Sequence, residues 1–283
     1  MVAKILGLID GSQYTASVLD NIAFAAKRLR AEVELIHAIG RRDIGSAPSD
    51  MSGSLDLGER EELLKELAAH DEQHARLARK RGRLVLSDAA AKLAADGVET
   101  VSHDLVLGDL LEEIERRETG CDLVVLGKRG DAANFAKLHL GSNLERVMRR
   151  TSVPVLIAAR AFRPIERVLV AYDGGPSISK ALDWLRVSPL LKGTRIEVAK
   201  ATGKSSDAEL DRVCKTLKAE GFDARAKLLT GDPDDAVVAE CEREAIDLVI
   251  VGASGHSSLR RFLVGSTTSE IVRACRRPVL LFR

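Results

Sequence analysis

Two stretches of this sequence space their glycines in a way that suits phosphate chemistry. The stronger is Gly252-Ala-Ser254-Gly255, then nine residues, then Gly265-Ser266-Thr267-Thr268. Glycines at 252 and 255 let the backbone approach a ligand with no Cβ in the way. A helix opening after Gly265 offers free N–H groups and the positive end of its dipole to an anion, and Ser266, Thr267 and Thr268 add hydroxyl donors. The weaker stretch is Gly127-Lys-Arg-Gly130, then ten residues, then Gly141-Ser142-Asn143, with Asp131 directly after Gly130. A carboxylate beside a polyphosphate is repulsive. Anion binding is therefore expected at the first stretch and left open at the second.

Other chemical signals are weaker. Gly203-Lys204-Ser205 resembles the tail of a P-loop, but the pattern needs glycine at position 198, which is Val, so a turn is expected. His70 and His74 stand one helical turn apart within a densely charged segment, which reads as a solvated helix face rather than a zinc site. No G-x-S-x-G elbow, no G-x-G-x-x-G fingerprint and no H-x-G-H occur. His256 is the single imidazole in the stronger glycine loop, either a phosphate donor or a plain loop residue. Asp122 and Asp247, which precede apolar runs, read as structural.

The elements that must position these residues come twice. Residues 3–12 align with 166–175 and 33–38 with 196–201 at an offset of 163; 105–109, 122–130 and 153–157 align with 228–232, 247–255 and 277–281 at offsets of 123 to 125. Separated matches at a shared offset mark an internal repeat. The fall in offset places about 40 extra residues in the first copy, a Gly/Ser/Asp/Pro-rich loop at 40–58 and a helical stretch at 59–96, against a helix of about 206–220 in the second. The domains expected are 1–160, with the insertion at about 40–96, and 165–283. Each copy alternates Val/Ile/Leu runs with amphipathic stretches, which implies a parallel sheet covered on both faces. The fold class is α/β, two tandem doubly wound parallel five-stranded sheets. In such sheets ligands bind beyond the carboxyl ends of the strands, where the strand order reverses.

The glycine pattern, behind a five-strand alternation with Asp at the end of the first strand and Pro-Val in the last, resembles the universal stress protein family over essentially the whole chain. The resemblance implies ATP, taken with or without Mg2+, as ligand, and domains that pair, often through their last strands. In the second copy it assigns Asp173 to the ribose hydroxyls and the backbone at Ala201 to adenine. It sets Gly252, Ser254 and Gly255 beside ribose and phosphates, and Gly265, Ser266 and Thr267 around the triphosphate, with Ala171 and Gly174 as local lining and Arg260 or Arg261 as charge partners. The first-copy equivalents are Asp10, Ala38, Gly127, Gly130, Gly141 and Ser142.

Composition sets bounds on function. Of 283 residues, 45% are hydrophobic and 30% charged, as in ordinary globular proteins. A net charge of +1 and 3% aromatics argue against nucleic acid, which needs a basic field and stacking platforms. Four scattered cysteines without a C-x-x-C read as reduced thiols. No apolar run approaches the ~18 residues of a membrane span, so membrane partners are not expected and a cytoplasmic location is. The function expected is a nucleotide-responsive stress or regulatory protein that binds without turnover, with a homodimer left open. Slow ATP hydrolysis or phosphoryl transfer, near Arg260 or His256, is the enzyme-class alternative. An interaction module with an empty first pocket is the third reading.

Overall fold

The computed structural model describes residues 2–40, 57–129, 140–203, 205–253 and 264–283. The first half contains β1 (Lys4–Leu8), α1 (Thr15–Leu29), β2 (Glu32–Ile39), α2 (Leu57–Ala95), β3 (Val101–Leu107), α3 (Leu110–Glu118), β4 (Leu123–Gly127), α4 (Ser142–Arg150) and β5 (Val155–Ala158). The second contains β6 (Arg167–Ala171), α5 (Pro176–Val187), β7 (Arg195–Ala201), α6 (Ala208–Ala219), β8 (Asp223–Leu229), α7 (Pro233–Arg243), β9 (Leu248–Gly252), α8 (Ser266–Ala274) and β10 (Val279–Phe282).

Local chemistry accounts for the helix ends. Asp109 and Asp207 stand at the N-caps of α3 and α6 and accept from Leu111 N, and from Glu209 N and Leu210 N, filling orphan donors of the first turn. Helix α7 opens on Pro233 with Asp234 and Asp235 in its first turn and closes on Arg243, charges that complement its dipole. The central strands β4 and β9, Leu-Val-Val-Leu-Gly and Leu-Val-Ile-Val-Gly, are apolar on both faces because helices cover both.

Each half has the strand order 3-2-1-4-5, and the two five-stranded parallel sheets join edge to edge. The full order is β3-β2-β1-β4-β5-β10-β9-β6-β7-β8. At the join β10 runs antiparallel to β5, with Leu280 opposite Leu156, and parallel to β9, with Leu280 opposite Ile250. Two apolar layers sandwich the sheet and both continue across the join. One takes Val18 and Leu19 of α1, Leu86 and Leu93 of α2, Ile178 of α5 and Leu210 of α6. The other takes Ile114 of α3, Leu144 of α4, Val237 of α7 and Ile271 of α8.

Arg117 of α3 is buried with its guanidinium among Glu34, Asp104 and Glu113, at 2.6 Å from Asp104 and 3.1 Å from Glu113. Removing the shared cation leaves carboxylates crowded at a half-buried site. Arg117→Ala is expected to lower unfolding stability by about 3 kcal/mol, read as a fall in the urea midpoint at unchanged slope.

Helix α2 is the principal asymmetry. It must run from the carboxyl edge, where β2 ends, back to the amino edge, where parallel β3 begins. Its 39 residues span about 58 Å, against about 23 Å for the seven residues of β3. Buried positions Gly82, Leu86, Ala89 and Leu93 lie in its later part. The earlier part, apart from Ala75 and a few half-buried positions, is exposed wherever its side chains are described and rises past the carboxyl edge. His70 and His74 sit there, exposed, with ring centroids 4.4 Å apart.

Candidate functional site

The strand order reverses between β1 and β4, and again between β6 and β9. Ala171 ends β6, Ala201 ends β7 and Gly252 ends β9, all at one carboxyl edge, and Gly265 lies beside them, its N–H donating to the Ala253 carbonyl at 2.8 Å. Just past β6, Asp173 Oδ1 accepts from Gly175 N at 2.8 Å, and Gly174 takes a left-handed φ of 73°, which glycine adopts freely. The other carboxylate oxygen of Asp173 has no hydrogen bond among the described residues. Gly252 is tightly enclosed: a Cβ there would lie 3.1 Å from Ser177 Cβ and 3.2 Å from Ile178 N. Ser266 and Thr267 are exposed on the first turn of α8, whose N-cap, Gly265, supplies no side-chain bond. Thr268 differs from the expectation of a phosphate donor. Its hydroxyl is buried and donates to the Gly252 carbonyl at 2.7 Å, because the third position of this helix turns toward the sheet. Ser254 and Gly255, with His256, Arg260 and Arg261, lie outside the described residues.

The first half repeats this framework. Asp10 Oδ1 accepts from Ser12 N at 2.9 Å and Gly11 has φ 74°. Ala38 lies in β2, Gly127 ends β4, and Gly141 stands at the α4 N-cap, its N–H on the Lys128 carbonyl at 3.3 Å. Helix α4, which begins at Ser142, is thus docked as α8 is, despite the extra residue. Gly130 and Asp131 lie outside the described residues. Helix α2 closes over this edge: a Cβ on Gly11 would be 3.2 Å from Val85 Cγ2 and 3.9 Å from an Arg81 guanidinium nitrogen. His37 Nδ1 donates to the Ile9 carbonyl at 2.9 Å; a carbonyl only accepts, so that nitrogen carries the proton.

Sequence reading missed a polar group beside Ala201 and Asp173. Lys200 Nζ reaches Asp207 at 2.7 Å and Glu209 at 3.1 Å and lies 5.5 Å over the Tyr172 ring, while the Tyr172 hydroxyl donates to Glu209 at 2.8 Å. Burial and the Glu209 carboxylate push the Tyr172 phenol well up. These partners are joined across an irregular loop, and no spacing announces them. Asp122 and Asp247, read as structural, cap the amino edge: Asp122 accepts from Lys4 N and Asp247 from Glu166 N and Arg167 N.

Lys128, after β4, is 7% exposed and donates to the Cys275 carbonyl. Burial pushes its ammonium down to about 8, since hydration of the charge is lost. The folded state then holds this proton more weakly than the unfolded one. The charge costs the fold on the order of 3 kcal/mol below pH 8, and this penalty disappears as pH rises from about 8 toward the unfolded value near 10.5. The unfolding free energy is expected to rise between pH 8 and 10 by about 2 kcal/mol more than in Lys128→Met, by denaturant titration at both pH values.

Comparison with known proteins bears on this arrangement. A universal stress protein of Synechocystis sp. is 36% identical over 285 residues, covering 99% of each chain. Another, from Bacillus subtilis, is 31% identical over 163 residues, 56% of this chain and 99% of its own. The crystal structure of a universal stress protein from Archaeoglobus fulgidus has the same fold, with a TM-score of 0.71 over 99% of this chain and 96% of its own at 21% identity. No helix among the described residues is long and apolar enough to cross a membrane. The model of the universal stress protein family matches residues 1–159 and 187–283, the second match opening downstream of Asp173; with both halves matched, the chain belongs to the universal stress protein family.

Proposed function

We propose that this chain is a cytoplasmic, nucleotide-responsive regulatory protein that binds ATP, with its Mg2+, at the carboxyl edge of the second half. The observation that carries the reading is the enclosed Gly252 turn abutting an α8 N-terminus with no side-chain cap. Uncapped N–H groups at a helix start beside the end of a central strand fit a phosphate chain. Asp173 Oδ2 is available to ribose hydroxyls, and Ala171, Gly174 and Ala201 line the approach to the base. Ser266 and Thr267 flank the phosphates, and the family resemblance adds Ser254 and Gly255 to the contacts. Mg2+ would be held chiefly by the phosphates it neutralises.

The two units, 1–160 and 165–283, work in this reading as a pair within one chain, and ligand binding changes their shape or a partner's affinity rather than driving turnover. In the first unit Asp10, Ala38, Gly127, Gly130, Gly141 and Ser142 would be the equivalents by the same resemblance. Arg81 and Val85 over Gly11 favour its being closed, an interaction surface more than a nucleotide site. Isothermal titration of the full chain with Mg-ATP tests the proposal: one binding event is expected, and no heat overturns it.

A further inference from the structure

The two halves meet around a cleft of about 630 Å3 where the carboxyl end of β5 lies beside the amino end of β10. The first half lines it with Lys128, Arg129, Arg160 and Arg163. The second half brings Arg273, Arg276 and Arg277, and the opposing charge is limited to Glu242 and Asp247. This is a marked local excess in a chain whose net charge is +1.

Several of these charges are already engaged. Lys128 donates to the Cys275 carbonyl, Arg277 reaches Glu242 at 3.3 Å, and Arg273 pairs with Glu270. Asp247 accepts from the backbone N–H groups of Glu166 and Arg167. Arg160, Arg163 and Arg276 are exposed and have no ion pair or hydrogen bond among the described residues. Basic residues also complement a helix C-terminus, and α8 ends at Ala274. That terminus is equivalent to only about half a negative charge, too little to offset three further cations. Three guanidinium groups gathered around one cleft from both halves leave a local positive field that an anion would answer.

We propose that this seam, which borders the first glycine cradle at Lys128 and Leu140 and lies apart from the Gly252–Gly265 cradle, is an anion site that takes a compact polyphosphate chain held by guanidinium groups from both halves. Guanidinium forks match phosphate oxygens bidentately. The lining apart from its charges is Leu140, Pro278, small alanines, Cys275 and Tyr14. Tyr14 is packed on Gly127, so recognition rests on charge rather than base stacking. Because the ligand contacts both halves, its binding draws them together and stabilises the whole chain.

Isothermal titration with inorganic tripolyphosphate tests this site, using the full chain with Gly265→Asp to close the second cradle. One binding event is expected, weakened about tenfold by each of Arg160→Ala, Arg163→Ala and Arg276→Ala and abolished in the triple variant. Competition with ATP distinguishes the sources: displacement identifies the triphosphate tail of a nucleotide, and its failure identifies free polyphosphate. If the Gly265→Asp chain does not fold, the three arginine variants in the unaltered chain must each weaken one tripolyphosphate equivalent. Binding that survives the triple variant unchanged, or no tripolyphosphate heat from the unaltered chain, overturns the proposal. The result does not depend on the nucleotide reading, whose failure appears with Mg-ATP and Gly265 alone.

Discussion

Gly265→Asp is expected to weaken Mg-ATP binding at least about a hundredfold while leaving the fold intact. The residue has φ −61° and ψ 150°, a conformation open to any side chain. A Cβ there would meet nothing nearer than the Ala253 carbonyl oxygen at 3.7 Å and Thr268 Oγ1 at 3.8 Å. Aspartate is moreover a favoured N-cap, so its carboxylate satisfies the same N–H groups that a phosphate would take. The variant loses the helix-terminus attraction, up to about 2 kcal/mol, and adds like-charge repulsion of similar size. Unchanged or slightly raised thermal stability with lost titration heat is the expected pair of results. Full affinity in the variant would move the phosphates away from α8.

The second large effect is on stability. Leu280 is fully buried, faces Leu156 of β5 and Ile250 of β9, and belongs to the layer that crosses the join. Leu280→Ala is expected to cost about 2–5 kcal/mol by the loss of buried methyls and the cavity left. Since both apolar layers are continuous, the two halves should unfold together. Fluorescence of Trp184, the single tryptophan, which packs on Phe282 at 5.4 Å, reports the second half. Far-ultraviolet circular dichroism reports both. Coincident urea midpoints, shifted together by the substitution, are expected; a shift in the Trp184 signal alone would mean two independently folding units.

Much of this architecture is legible in the sequence because it follows from local regularities. Val- and Leu-rich runs doubly buried in β4 and β9 read as strands, and the insertion expected as a helix over 59–96 forms one over 57–95. What stays hidden depends on relations between distant residues. The runs Val-Leu-Ile-Ala and Val-Leu-Leu-Phe carry no mark of their own of pairing with each other, which only the family resemblance implies. The hydroxyl of Thr268 belongs by type with Ser266 and Thr267, and only the helix phase, which turns it onto the Gly252 carbonyl, separates it from them. That Arg81 and Val85 reach Gly11 depends on the tilt of α2 over the sheet, and the Lys200 group on the path of a loop.

The join of β5 to β10 also has a bearing on solubility. An unpaired strand edge of four consecutive apolar residues is a template for adhesion to another chain. Here each of the two stickiest edges caps the other, and the outer edges left are β3 and β8. Those carry Ser102, His103 and Asp104, and Asp223, Arg225 and Lys227, polar and charged side chains that discourage further strand addition. Duplication within one chain has thus turned a liability of the single repeat into its own protection, and severing the chain between 159 and 166 would give both halves back an adhesive margin.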